Sequence, residues 1–283
     1  MNKVAIITDS TADIPTDIAK KLGIIVLPLT VYFGDEQYKD GFDLSAENFY
    51  KKMSLEDNLP TTSQITPHVF EEEFSKLLSK GYSVVCITLS STLSGTFQSA
   101  NIAKRGLDTE EIEIIDSRTA SMGYGLIVIE CAKMALEGKA HREICDLAKE
   151  KIGRMQIYGS LENLDNLKKG GRIGTGAAIV GAILNIKPII SIKDGKVELV
   201  DKVRGSKKAN SFIIDAVLKS GADFSKQVIA IVHGGVELAR LDEYKKEVCD
   251  ILKPKDVIIT IAGSVIGTHA GAGFMSICFE SDV

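Results

Sequence analysis

The sequence predicts an α/β fold in two domains, residues 1–153 and 154–283. The first is a three-layer α/β/α unit on a parallel sheet, the second a two-layer α/β unit on a mixed sheet. Three observations predict this. In the first half, strands that are apolar throughout, such as Val4-Ala5-Ile6-Ile7 and Val84-Val85-Cys86-Ile87, alternate with helical patterns, as strands covered on both faces do. In the second half the turn Asp194-Gly195 joins two β-rich runs into a hairpin, which requires antiparallel pairing. A chain of 283 residues, 45% hydrophobic and 25% charged, can bury a core in each of two ordinary globular units.

Residues 3–8 give the first strand, ending in Asp9-Ser10-Thr11-Ala12-Asp13 ahead of Pro15 and an amphipathic helix through Leu22. Residues 23–28 and 29–33 read as two further strands, 34–36 as a turn, and 45–53 as a surface helix opened by Ser45 and Glu47. The hydroxyl cluster Thr61-Thr62-Ser63-Gln64 precedes a helix that starts at Pro67. Residues 83–89 form the central strand, 94–104 a helix, and 111–115 a strand ending in Asp116-Ser117, which echoes Asp9-Ser10. Helices over 119–137 and 141–151 complete the first domain. Then come a strand over 154–159, a helix opened by 160–164 that ends at Lys168-Lys169-Gly170-Gly171-Arg172, and a run over 173–184 that is small or apolar on every side. That run is either packed tightly in the core or lies along an apolar ligand chain. The hairpin follows, then a helix over 206–218, strands at 228–232 and 257–262 flanking a helix over 236–252, a glycine-rich segment around His269, and a last strand through Phe279.

The stretch Leu89-Ser90-Ser91-Thr92-Leu93-Ser94-Gly95-Thr96 lies where the central strand ends and a helix begins. A helix start leaves backbone N–H groups without intrahelical partners, so hydroxyls and a glycine there can cradle an anion, and they also serve as ordinary N-caps. No Lys or Arg interrupts the stretch, which suits one carboxylate better than a triphosphate. In a parallel sheet, ligands bind beyond the strand C-termini, so Asp9, Ser10, this loop, Asp116 and Ser117 are expected on one rim.

Several chemistries are excluded or unsupported. A net charge of -4 argues against nucleic acid and anionic membrane as partners. Five scattered cysteines without C-x-x-C spacing suggest neither a disulfide framework nor zinc, and no metal or cofactor is expected. No Walker motif, zincin motif or EF-hand loop is present, and Gly174-Thr175-Gly176 follows a helix where a dinucleotide fingerprint needs a strand. Without a visible secretory signal, membrane span or anchor, the expected location is the cytoplasm. His68 and His141 are expected to be solvated, whereas His269, among Gly263, Gly267, Gly271 and Gly273, can face a cleft. Lys168, Lys169 and Arg172, then Lys202, Arg204, Lys207 and Lys208, form two basic groups, read either as a solvated face or as a docking surface centred on Arg172, Arg204 and Lys207.

Taken together, Asp9-Ser10-Thr11-Ala12-Asp13, Thr61-Thr62-Ser63-Gln64, Ser90 to Thr96, Asp116-Ser117, Leu167 to Ile173, Lys187-Pro188, Arg204 with Lys207-Lys208, and Gly267-Thr268-His269-Ala270-Gly271 resemble the DegV family along essentially the whole chain. Ala272 departs from it, standing where the family more often has proline. The resemblance implies a two-domain carrier that holds a long-chain fatty acid, such as palmitate or stearate, in an internal tunnel between and into the domains. Such a carrier is not itself an enzyme. It presents the carboxylate to a separate ATP-dependent fatty acid kinase subunit, which makes the acyl phosphate for phospholipid synthesis. Carried over, Thr62 and Ser94 would bind the carboxylate, with Ser63, Gly95, Arg204 and His269 near the head group. The alternative is a serine-dependent lipid esterase or thioesterase, with Ser94 or Ser91 as nucleophile, His269 as base and Asp9 or Asp116 as orienter, although no G-x-S-x-G elbow surrounds a serine.

Overall fold

A computed structural model describes residues 3–174 and 185–282. The first half runs β1 (Lys3–Asp9), α1 (Thr16–Leu22), β2 (Ile25–Leu27), β3 (Thr30–Phe33), β4 (Glu36–Lys39), α2 (Ala46–Met53), β5 (Thr61–Ser63), α3 (Pro67–Ser79), β6 (Tyr82–Thr88), α4 (Thr96–Leu107), β7 (Ile112–Asp116), α5 (Met122–Leu136) and α6 (His141–Ile152). The second runs β8 (Met155–Ser160), α7 (Asp165–Lys169), β9 (Ile186–Lys193), β10 (Lys196–Arg204), α8 (Ser206–Lys219), β11 (Val228–His233), α9 (Leu238–Leu252), β12 (Asp256–Ile261), α10 (Ser264–Ala270) and β13 (Met275–Glu280). The expected helix over 173–184 falls largely outside the described residues.

The fold is α/β, with a parallel sheet and a separate mixed sheet. The parallel sheet has the order β2-β1-β6-β7. Its middle strands are apolar because both faces are covered. Phe70, Phe74, Ala100 and Ala103 of α3 and α4 pack on one face, and α5 with Ile144 and Ala148 of α6 on the other. The mixed sheet has the order β10-β9-β8-β13-β11-β12, in which only β11 and β12 run parallel. Ile213, Val217, Leu241 and Val248 of α8 and α9 cover its outer face. Its inner face meets α5, which is apolar all round and therefore lies between the two sheets. Two glycines permit that approach: a methyl group added at Gly123 would overlap the Ile157 side chain, and one at Gly125 the Ala12 carbonyl oxygen.

A third sheet, β4-β3-β5, antiparallel and three-stranded, is not evident from the sequence. Glu36–Lys39 and Thr61–Ser63 are too short and polar to show alternation, and they become strands only by pairing with β3, Thr62 lying opposite Val31. The glycine-rich segment around His269 is another correction, since residues 264–270 form helix α10. Helix α7 begins at Asp165 rather than at 160, and His141 is half-buried with Nε2 3.0 Å from the Val84 carbonyl, whereas His68 is exposed as expected. Among the described residues, no helix is long and apolar enough to cross a membrane, and no group of three or more His, Cys, Asp or Glu side chains could hold a metal ion.

Candidate functional site

A cavity of about 380 Å³ lies where the three sheets meet α10. That volume falls in the range of about 300–1,000 Å³ usual for small-molecule sites. Leu29, Leu89, Ile157, Ile190, Ile192 and Phe274 make its wall apolar. Thr62, Ser63, Ser94, Gly95, Arg172 and His269 also line it.

Each polar residue is placed by local structure. Thr62 and Ser63 stand on β5, and Gln64 just beyond donates from Nε2 to Ser99 Oγ at 2.8 Å, tying β5 to the first turns of α4. Gly95 is the N-cap of α4, and any side chain there would overlap the Gln64 amide. Ser94 Oγ lies 2.9 Å from Thr96 Oγ1 and accepts from the Thr96 N–H at 3.3 Å, so one orphan donor of α4 is partly satisfied at the edge of the cavity. Ser63 Oγ lies 3.3 Å from the Tyr32 hydroxyl.

Thr62 Oγ1 lies 3.1 Å from Nε2 of His269, on the last turn of α10. Burial, followed by the Arg172 charge, lowers the His269 pKa to about 4, so the imidazole is neutral near pH 7. Its Nδ1 is buried without a hydrogen-bond partner, packed against Gly170. Leaving a lone pair there costs less than leaving an N–H, which favours Nε2–H donating to Thr62. The Thr62 hydroxyl proton is then free to point into the cavity.

Arg172 supplies the cation that the hydroxyl loop lacks. Its Nε donates to the Leu93 carbonyl at 3.1 Å and its Nη1 to the Gly170 carbonyl at 2.5 Å. No carboxylate among the described residues pairs with it, so its other N–H groups can meet an anion. The sequence pattern groups Arg172 with a docking surface; in the structure the turn after α7 folds the guanidinium onto the residue preceding Ser94, so that it lines the cavity. Only its distance in sequence from the hydroxyl loop hid the connection.

Other expected residues fall elsewhere. Arg204 is exposed at the end of β10 and does not line the cavity, which corrects its placement near the head group. Lys207 is exposed on the first turn of α8, in a surface groove shared with Arg240. Within the rim loop, Ser90 Oγ donates to the Gly195 carbonyl at 2.8 Å, and Thr92 Oγ1 donates to the same oxygen, so these hydroxyls grip the tip of the β9–β10 hairpin rather than a ligand. Ser91 donates from N and Oγ to Asp116. Asp9 accepts from Thr11, Leu89 and Tyr124. Among the described residues no hydrogen bond joins His269 to a serine or a carboxylate, so the Ser-His-Asp arrangement of the alternative reading does not form.

A family model described as "Uncharacterised protein, DegV family" matches residues 3–282. A DegV domain-containing protein of Caldanaerobacter subterraneus subsp. tengcongensis is 41% identical over 280 residues, covering 99% of each chain. Among solved structures, a DegV family protein of Thermus thermophilus described for its fatty acid binding is similar with a TM-score of 0.89 and 28% identity, covering 99% of this chain and 100% of the other. A Thermotoga maritima protein described as revealing a fatty acid binding function has a TM-score of 0.87 and 30% identity, with the same coverage. Because the family model and the relative each span nearly the whole sequence, the chain belongs to the DegV family.

Proposed function

We propose that this protein binds one long-chain fatty acid in the cavity, with the carboxylate at Thr62, Ser94 and Arg172 and the chain along the apolar wall. The observation that carries this reading is Arg172, a guanidinium held by two main-chain carbonyls beside an apolar cavity with no carboxylate partner among the described residues. A half-buried cation without a counter-charge is a ready partner for an anion that the ligand brings. Two hydroxyls and a guanidinium match the acceptors of a carboxylate, and the neutral His269 orients one of those hydroxyls without repelling Arg172. Burying each methylene contributes about 0.8 kcal/mol before ordering costs, so the tail would set affinity and the polar groups register. The fatty acid binding described for the Thermus and Thermotoga relatives supports this reading. It requires no metal or cofactor.

Native mass spectrometry of purified protein tests it directly. A non-covalent mass equal to a long-chain fatty acid is expected. Protein that carries none, and takes up none on titration with palmitate or oleate, would refute the reading.

We further propose that the held carboxylate is presented to a separate ATP-dependent kinase subunit that forms the acyl phosphate, and that this occurs in the cytoplasm. The family resemblance motivates this step, and Arg204 and Lys207 support it as exposed cations with no acidic partner among the described residues. A double Arg204→Ala, Lys207→Ala variant should bind fatty acid as the parent does while forming acyl phosphate more slowly with a cognate kinase, and raising salt should slow the parent protein toward it. Acyl phosphate formation at the parent rate would move the docking surface elsewhere.

A further inference from the structure

None of Asp9, Ser10, Thr11, Ala12 and Asp13 lines the cavity, yet carboxyls of this turn, together with Asp40, hold the starts of the segments that do. Asp9 Oδ2 accepts from the N–H of Leu89, where the hydroxyl loop begins, at 2.9 Å. Asp13 Oδ1 accepts from the Gly263 N–H at 2.8 Å, just ahead of α10, and its Oδ2 pairs with Ser121 Oγ at 2.5 Å, on the cavity wall at the start of α5. Asp40 Oδ1 accepts from the N–H and Oγ of Ser264, the first residue of α10, at 2.7 and 2.6 Å. All three carboxyls are buried, and no Lys, Arg or His among the described residues pairs with any of them.

We propose that Asp13 is a positioning residue of the cavity, and that its protonation state couples the cavity's shape, and so the retention of a ligand, to pH. The part concerning retention rests on the fatty-acid reading above. Asp13 is the junction between two walls, because one carboxyl holds both Ser121 and the start of the helix that carries His269. Both ends of its bond to Ser121 are conformationally costly: Asp13 has φ 52°, and Ser121 has φ 53° with ψ -147°, a region that non-glycine residues hold only under constraint from their neighbours. Protonated, the Asp13 carboxyl can donate to Ser121 Oγ while accepting from Gly263, and it needs no counter-charge.

Ionised, it faces Asp40 and Asp9 in a setting from which water is largely excluded. On its buried side it also acts on the phenols of Tyr50 on α2 and Tyr124 on α5 and on the Cys278 thiol on β13, none of them a cation. Burial, with smaller contributions from Asp40 and Asp9, pushes the Asp13 carboxyl up to about 8. On its other side Asp13 borders an outer cleft of about 700 Å³ that also contains Lys20 of α1 and Glu47 of α2. An ionised Asp13 gains hydration by turning into that cleft. Doing so releases Ser121 and Gly263, and with them two walls of the inner cavity.

Binding of a fluorescent polyunsaturated C18 fatty acid, measured from pH 6.5 to 9.5, tests the coupling. Above the Asp13 pKa, parent affinity should fall by up to about tenfold per pH unit, the slope for one linked proton. Asp13→Asn keeps the acceptor and gains a permanent donor, so it should bind like the parent at pH 6.5 and lose the alkaline decline. Asp13→Ala should remain folded by circular dichroism and bind more weakly at every pH. Amide exchange of residues 121–125 and 264–270, corrected for intrinsic rates in protein without added fatty acid, reports the same release independently. Protection there should drop above pH 8 in the parent and not in Asp13→Asn. If the parent binds no fatty acid while protection still drops, the ligand assignment fails and the coupling stands. If protection is flat across pH 8 in the parent, or Asp13→Asn follows the parent's pH profile, the coupling is wrong.

Discussion

Burial gives His269 and Asp13 opposite effects on stability. His269 has its folded pKa lowered to about 4 from 6.5, so between those values the unfolded chain binds the extra proton and stability falls as pH drops. Asp13 is raised to about 8 from 3.8, so across that window the folded chain keeps a proton that the unfolded chain has lost, and stability falls as pH rises. Urea unfolding at pH 5 and pH 8 should therefore show Asp13→Asn gaining on the parent at pH 8 relative to pH 5, and a larger gain at pH 5 would contradict the assignment. If the carboxylate sits at Thr62 and Ser94 as proposed, Thr62→Ala with Ser94→Ala should remove two hydrogen bonds to a charged acceptor, each worth about 1.5–3 kcal/mol, without disturbing a packed core. A titration showing unchanged fatty-acid affinity in that double variant would place the carboxylate elsewhere.

The β9–β10 hairpin contributes Ile190, Ile192 and Val197 to the cavity, and its tip is fastened by Ser90 and Thr92 to the Gly195 carbonyl and by the Arg118–Asp194 ion pair at 3.0 Å. Ser90→Ala with Thr92→Val should loosen the tip, speeding release of bound fatty acid in a stopped-flow displacement assay several-fold while changing the fold little. An unchanged release rate would mean that the tip plays no part in ligand exit. Elements of this size were unevenly legible in the sequence. Apolar strands such as β1, β6 and β11 announce themselves, because burial on both faces demands a continuous hydrophobic run. By contrast β4, β5 and α10 carry no such pattern: the first two exist through pairing with β3, and α10 is a short, glycine-interrupted turn pinned by Asp13 and Asp40. The site shared that limit. Thr62, Ser94 and His269 were identifiable as polar residues in motifs, whereas the inward turn of Arg172 and the outward position of Arg204 depend on contacts that no spacing encodes.

At the scale of the whole molecule, α5 is the structural centre. Its apolar surface is divided between the parallel sheet and the mixed sheet, so one core includes Val85 and Ile87 of β6 together with Ala230 and Val232 of β11. Gly123→Val would drive a branched side chain into Ile157 and should cost about 1–3 kcal/mol of stability, or more if β8 cannot shift. Thermal unfolding should then occur earlier but still as one transition seen alike by far-UV and near-UV signals, and two separated transitions would show that the halves unfold independently. The shared helix also bears on how the protein is made. As the chain leaves the ribosome, α5 emerges well before β11 and β13, and at about 5–20 residues per second its far face waits on the order of ten seconds for the last of the strands that cover it. A nascent chain whose α5 has cleared the ribosome while the mixed sheet is still incomplete would therefore display a sticky apolar strip, a natural target for chaperone capture until the second half has been synthesised.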